Sequence, residues 1–471
     1  MTHTLERDDG PRTRWAAPLT AHLPAAVGIA LALAATSAYL QVVHPALAQD
    51  DWDTLLPVDK VQLDVMRYRL LAEGRWLNFA WWRTAGQLLT PVTASVIYFA
   101  AHAAFVLRLA RKLAAGWTGA LVAAALFASP MVALLAAWPA VQTPSMVVLA
   151  ASTWTLPLCR HRLRPLLVWM VLSAVLAMLT YQPVSLVLLV VLVLEELHRS
   201  TRHLVLVGTG FCVTWVTSAL VMFTLNWVGF GVFGLRVQAW RQPNPVHDIG
   251  DLVVNLGRAG SHFRDVGQQI ALPVLLGSLA LVVCLWTRTL RKPGVVLLVT
   301  VVVAAGLESS GTVVGGFVVA FRSSMWVWVC LVVAVSWLAQ LPRRRWRLVS
   351  AAATAAIALS GAVYWHVLVS DRQAQLAAYD RIDQQVAGLL EKHPGARVMI
   401  VGSPEDWDNS YFRAEAQYVH GRTLFEHGAR AAYCNPTSCH AARDQKVLEQ
   451  QVGLYDGDQI TVRPPPGKVL R

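Results

Sequence analysis

PLLVWMVLSAVLAMLT at residues 165–180, the turn Tyr181-Gln182-Pro183, and VSLVLLVVLVL at 184–194 form an uncharged run of 30 residues. Arg160, Arg162 and Arg164 precede this run, and Arg199 and Arg202 follow it. A helix needs about 20 apolar residues to cross a bilayer, fewer when it is packed inside a bundle. The run therefore reads as two crossings, near 165–181 and 183–196, hinged at the turn. Short cytoplasmic loops collect Lys and Arg. Both flanks are basic and the turn is not, so the turn is expected on the outer side.

Working outward, further apolar runs lie near 22–43, 86–107, 117–138, 143–159, 203–225, 269–286, 293–308, 318–340 and 348–369, which makes eleven expected spans. Basic clusters recur at alternate connections: Arg7/Arg12/Arg14, Arg108/Arg111/Lys112, the two flanks above, Arg288/Arg291/Lys292 and Arg343/Arg344/Arg345/Arg347. The alternation puts the N-terminus inside and the C-terminus outside a cytoplasmic (inner) membrane. Three longer segments then face outward: 44–85, 234–268 and the tail from Ser370. Leu23–Val43 is long for a signal-peptide core and is taken as a retained span.

Composition agrees. Of 471 residues, 55% are hydrophobic and 14% charged, against about 25% charged in soluble domains. An ordinary soluble enzyme is excluded. The net charge of +12 comes entirely from residues 1–369, because the tail carries 12 basic and 13 acidic residues. Basic clusters between apolar runs describe cytoplasmic loops, not a nucleic-acid-binding face. The expected fold is an all-α polytopic membrane protein over 1–369, with a small extracytoplasmic α/β domain over 370–471. In that tail, Leu376, Ile382, Val386 and Leu389/Leu390 have helical spacing, His393-Pro394-Gly395 ends the helix, and Arg397–Val401 reads as a strand. Cys434 and Cys439 lack zinc-site spacing; they form a disulfide if the tail meets an oxidising compartment, or remain two thiols.

The first outer segment concentrates reactive groups. Gln49-Asp50-Asp51-Trp52-Asp53 sets three carboxylates in four positions at the membrane surface, where charge is costly unless solvated or used. Asp50 or Asp51 can serve as general base toward an acceptor hydroxyl; Asp53 reads as part of a solvated turn. From Pro57, mixed apolar and charged residues suit a helix lying in the interface. Gly74 can end that helix; Arg75 can contact phosphate, while Trp76, Trp81 and Trp82 can stack on sugar or anchor among headgroups. Glu308 and Arg322 occur at one expected level and can pair. The second segment contains Trp240-Arg241, His247-Asp248, Arg258 and His262 and can close over a substrate.

Asp-Asp-Trp after the first span, Tyr68-Arg69, Gly74-Arg75-Trp76-Leu77 and Tyr181-Gln182-Pro183 together resemble the GT-C superfamily of integral-membrane glycosyltransferases. Within it the chain is most similar to the Gtr-type glucosyltransferases of bacterial O-antigens. The resemblance implies a GT-C-like domain over 1–369 that moves a sugar, glucose by this likeness, from a polyprenyl-phosphate donor to a cell-envelope glycan outside the membrane. It implies inversion, Asp50 or Asp51 as catalytic base, and Arg75 and Arg322 on the donor phosphate. Trp52, Arg69, Glu73, Trp76, Tyr181 and Gln182 are the implied substrate-binding residues. No motif demands a cofactor, and a divalent metal is left open. Partners are the lipid-linked donor, the glycan acceptor and membrane lipid, with no nucleic acid. A transporter or flippase of lipid-linked sugars is the alternative; it calls for ionisable groups near mid-membrane, where this sequence has few. A scaffold reading would leave the acidic loop without a role.

Overall fold

The structure, a computed structural model, describes residues 22–57, 61, 63–237, 241–435 and 437–464; Arg7, Arg12, Arg14 and Pro465–Pro466 lie outside them. The helices begin with α1 (His22–Val43), α2 (Gln49–Leu55), α3 (Leu63–Met66, continued by a π turn, Arg67–Leu71) and α4 (Trp76–Thr84). Next come α5 (Pro91–Leu113), α6 (Gly116–Phe127), α7 (Pro130–Leu135), α8 (Pro139–Cys159), α9 (Leu163–Thr180) and α10 (Pro183–Glu196). They continue with α11 (Thr201–Phe230), α12 (Ile249–Gln269), α13 (Ala271–Trp286), α14 (Arg291–Gly315), α15 (Met325–Trp337) and α16 (Arg344–Lys392). Proline opens α5, α7, α8 and α10. Its missing N–H removes nothing at that position and its fixed φ suits the first turn.

The chain is a mostly helical membrane protein. Among the described residues, six helices are long and apolar enough to cross a membrane, or seven if the bent pair α12–α13 counts as one span. That is fewer than the eleven expected. The difference lies in short or interrupted helices: α6 has 12 residues, α10 has 14, and α8 contains Pro144 and Pro157. A helix that is apolar all round is enclosed, whether by protein or by a membrane. α10 is such a helix, with Val184–Leu192 buried throughout, and α15 beside it is nearly as enclosed. By contrast α11, α13 and α14 expose Leu206, Val213, Leu275, Leu279, Val299 and Val302 at their periphery. Segment 234–268, expected as an outer loop, departs from a simple loop: most of it is α12, capped by Asp248, whose side chain accepts from Asp251 N at 2.9 Å. α12 meets α13 at 99°. It buries Asn255, Ala259, His262 and Val266 and exposes Ile249, Val253 and Leu256, the two stripes of a helix lying in an interface.

At the end of the bundle carrying the basic clusters, buried Glu195 accepts from Arg108 at 2.5 Å, Lys112 at 3.1 Å and Arg160 at 2.8 Å. One carboxylate thus ties together α5, α10 and the loop after α8. Removing one member of such a buried group leaves uncompensated charge and costs several kcal/mol.

The boundary expected at 369/370 falls inside α16, which runs for 49 residues without a break. Beyond it, β1 (Arg397–Val401) coincides with the expected strand, followed by α17 (Pro404–Asp408), α18 (Ser410–His427), β2 (Ala431–Cys434), α19 (Gln445–Glu449), β3 (Val452–Tyr455) and β4 (Gln459–Val462). The sheet order is β2-β1-β4-β3, with β1 parallel to β2 and β4, and β3 antiparallel to β4. Val398, Ile400, Ile460 and Val462 pack against Tyr379, Ile382 and Val386 of α16 and Phe412, Ala416 and Val419 of α18. The same apolar cluster continues into Leu47, Trp52, Leu55 and Ala140. Cys434 and Cys439 are joined as a disulfide, with Cα atoms 5.4 Å apart.

Glu415 on α18 gives a stability prediction. Burial raises its carboxyl from 4.5 to about 7, so the folded chain keeps a proton that the unfolded chain has released. Stability from this group is full below about pH 4.5 and is lost as pH rises through about 7. The shift corresponds to at most about 3 kcal/mol, reduced by partial solvent access to roughly 1–2 kcal/mol. Thermal unfolding of the full chain between pH 5 and 8 should therefore show a falling Tm that Glu415→Gln flattens, with the variant the more stable at pH 8. An unchanged slope in the variant would remove Glu415 as its source.

Candidate functional site

The carboxylates of Asp51 and Asp53, in segment 44–85, have separate environments. Ala48 N–H donates to Ala137 O at 2.7 Å just before α2 begins. Both oxygens of Asp51 then accept backbone N–H groups at the start of α8, Ala140 and Val141, each at 2.8 Å. A carboxylate at a helix N-terminus satisfies donors that have no intrahelical partner and interacts favourably with the helix dipole. Asp51 is fully buried there and fastens α2 to the turn between α7 and α8. This argues against Asp51 as a mobile proton acceptor. Asp50 precedes it, about 100° round the same helix.

Asp53 departs from the solvated turn expected of it. It is buried, ion-paired with Arg69 of the π turn and hydrogen-bonded by Gln417 Nε2 of α18 at 3.1 Å. Trp52 beside it packs edge-on to Tyr418 at 5.8 Å and against Phe425 at 5.5 Å. A Cβ on Gly421 would come within 2.6 Å of Trp52 Cβ, so glycine there permits the contact. Trp52 and Arg69, expected on substrate, are committed to the joint with the tail.

The expected interface helix from Pro57 is short, confined to α3 and its π turn; residues 58–60 and 62 lie outside the described residues. Gly74 then reverses the chain at φ +82°, a region where a side chain is disfavoured. Trp76 donates to Asn226 Oδ1 at 2.8 Å and lies against Phe230, so it fastens α4 to α11. Trp82 is wholly buried beside Met66 and Leu70.

Four other expected residues do converge. Glu73 accepts from Arg75 at 3.0 Å and from Arg241 at 3.3 Å. Arg241 reaches it because residues 241–246 run beside the end of α14: Asn244 N donates to Gly315 O at 3.1 Å and Val318 N to Arg241 O at 3.0 Å. Burial lowers the pKa of Arg241, Glu73 opposes that shift, and neighbouring Arg75 and Arg322 add to it; Tyr181 is also within electrostatic reach. Arg322, in the 3-10 turn Phe321–Ser324, sits over the ring of Trp138 at 4.5 Å, and Tyr181 Oη lies 3.2 Å from Ser323 Oγ. Three guanidinium groups therefore gather near one carboxylate. Gln182 lies apart, 3.5 Å from Met222 Sδ.

Glu308 does not pair with Arg322. It accepts from Ser324 Oγ and from Trp326 Nε1, each at 2.8 Å, and His262 Nε2 lies 3.0 Å from that serine oxygen. This buried network holds the turn that carries Arg322. Arg372, first on α16 beyond the apolar stretch, donates to Ala133 O and Leu134 O at 3.2 Å, satisfying carbonyls at the end of α7. Sequence reading assigned no role to Arg372 or Gln417, and named Arg241 only within a segment that can close over a substrate. Arg241 alone had a signal, a Trp-Arg pair in an outer segment.

A cavity of about 240 Å³ opens beside these elements, lined by Arg67, Tyr68, Asn226, Phe230, Val232 and Arg236, with Arg236 over Tyr68 at 4.9 Å. Its lining mixes charged residues, Asp64, Arg67 and Arg236, with the apolar Phe230 and Val232. One trio among the described residues, Asp383, Glu426 and His427, has ligand atoms within 4.8 Å of one another. Arg422 already pairs with the two acids, so the group is an ion-pair network. The residues of α2 and the arginine cluster form no comparable metal-ligating set among those described.

No known protein family, curated protein or solved structure matches the chain.

Proposed function

We propose that the protein is a GT-C-type glycosyltransferase, of the Gtr kind, acting at the outer face of a cytoplasmic membrane with its tail as an extracytoplasmic α/β domain. One observation carries the reading: the first turn of α8 joins an acidic helix to a cationic cluster. Asp51 holds that turn through Ala140 and Val141, and Arg322 rests on Trp138 immediately before it. A base and an anion-binding site on one rigid element is what sugar transfer from a phosphate leaving group requires.

In this mechanism Asp50 accepts the proton of the acceptor hydroxyl, and Asp51 sets its place by fixing α2. The hydroxyl oxygen attacks the anomeric carbon as the bond to phosphate breaks, with inversion. Arg75, Arg241 and Arg322 meet the charge left on the polyprenyl phosphate, and Glu73 orients two of them. The lipid chain leaves through the cavity past Phe230 and Val232. Glucose as the sugar, and a cell-envelope glycan as acceptor, follow from the Gtr likeness.

The test is envelope glycan analysis of a strain lacking the protein. Loss of one sugar substituent, restored by the wild-type chain but not by Asp50→Asn, is expected. A flippase would instead leave lipid-linked sugar accumulated on the inner leaflet and be restored by Asp50→Asn; that result would overturn the reading.

A further inference from the structure

Tyr433 is the next-to-last residue of β2, immediately before the disulfide-bonded Cys434, and is 43% exposed, although aromatic contacts hold it from two sides. His420 of α18 stacks on it at 4.8 Å with 21° between planes, and Trp407 meets it edge-on at 5.9 Å. Tyr433 pairs with Ile400 of β1 and Trp407 lies on α17 just beyond that strand, so the group sits toward the carboxyl end of the edge strand β2. Asp53 and Arg69 both act electrostatically on His420 and on Tyr433. This places the aromatic group beside the joint where Gln417 grips Asp53, less than one helical turn along α2 from Asp50.

We infer that Tyr433, His420 and Trp407, with Gln417 along one edge, form a binding subsite for a pyranose ring of the acceptor glycan. The inference deepens the transferase reading and rests on it for the identity of the acceptor. A pyranose has an apolar C–H face and a rim of hydroxyls. The exposed face of Tyr433 suits the former, since an aromatic ring offers apolar area with little side-chain entropy to lose. The rim needs mixed donors and acceptors, which an amide and an imidazole supply. Burial lowers the pKa of His420, with the Asp53 carboxylate and a hydrogen bond to the Ala431 backbone opposing, so at neutral pH its ring is uncharged and its second nitrogen can accept. A free phosphate or a protein strand would not call for that combination. A neutral sugar does. The subsite would thus hold one residue of the glycan while a neighbouring hydroxyl reaches α2.

The experiment uses the full chain in lipid nanodiscs and, as probe, oligosaccharides released from the envelope polysaccharide of a strain lacking the protein. Two readouts are taken: oligosaccharide binding by intrinsic fluorescence, and sugar transfer with donor hydrolysis by water as a parallel measurement. Tyr433→Ala should weaken binding and raise KM for the oligosaccharide about 10-fold, leaving kcat and donor hydrolysis within about two-fold. Tyr433→Phe should behave as wild type, because the stack is kept, and Gln417→Ala should fall between. Equal Kd and KM for wild type and Tyr433→Ala would overturn the subsite while leaving the transferase reading intact. Tyr433-dependent binding without transfer or donor hydrolysis would keep a glycan site and sink the transferase.

Discussion

Membranes carrying Asp50→Asn are expected to transfer sugar about 10²–10⁴-fold more slowly than wild type at the same protein level, the usual worth of a general base. The substitution keeps size and removes proton acceptance, so donor binding should persist. Asp51→Asn should fail differently. Its amide would turn one N–H donor toward a backbone N–H of α8, losing a hydrogen bond and the favourable charge at that helix start, a cost of about 1–3 kcal/mol. Lower thermal stability and lower membrane levels should accompany any loss of rate. Asp53→Asn breaks a buried pair with Arg69 and should loosen the tail, contrary to the tolerance expected of a solvated turn. Activity per mole of protein, measured beside the unfolding temperature of each variant, separates the three. Near-normal turnover in Asp50→Asn would remove the base from this helix and the main chemical support for a transferase.

The arginine cluster has the second largest expected effect. Arg75 and Arg241 share Glu73, and Arg322 acts electrostatically on Arg241; in the proposed reading they form an anion site whose charge is gathered before the leaving group develops its own. Arg241→Gln should lower kcat about 10²–10³-fold, the scale found when one preorganised donor to a transition-state charge is removed. Arg322→Lys should also be impaired, because an ammonium gives up the planar face stacked on Trp138. If the cluster were only structural, both variants would unfold at lower temperature yet retain turnover in the folded fraction. Titration with a polyprenyl phosphate should show weaker product inhibition in both.

The helical membrane character was legible because apolar length and basic punctuation are local properties. β1 was legible for the same reason: five residues of strand follow a Pro-Gly stop. α10 was misleading, since an apolar run of 14 residues reads alike whether lipid or protein surrounds it. α12 announced itself through Asp248 as a cap and Ile249, Val253 and Leu256 at helical spacing, but Pro243, Pro245 and Gly250 pull the same stretch toward a loop. Glu73, Arg75, Tyr181 and Arg322 were named from composition and resemblance, and the fold brings them together. Trp52, Arg69 and Asp53 could not be sorted that way. Gln417 is 364 residues from Asp53, and no local periodicity encodes such a pairing.

α16 carries a consequence for what lengths of chain can exist at Ser370. Each residue added to an uninterrupted helix turns everything beyond it by about 100° and advances it by about 1.5 Å. One extra residue there would swing α18 away from Trp52 and pull Gln417 off Asp53. Seven would nearly restore the angle but displace the joint by about 10 Å. Insertions and deletions, ordinarily easy between a membrane bundle and a soluble tail, are therefore forbidden at this point. Variation in size should collect instead at exposed turns such as 437–438 and 456–458.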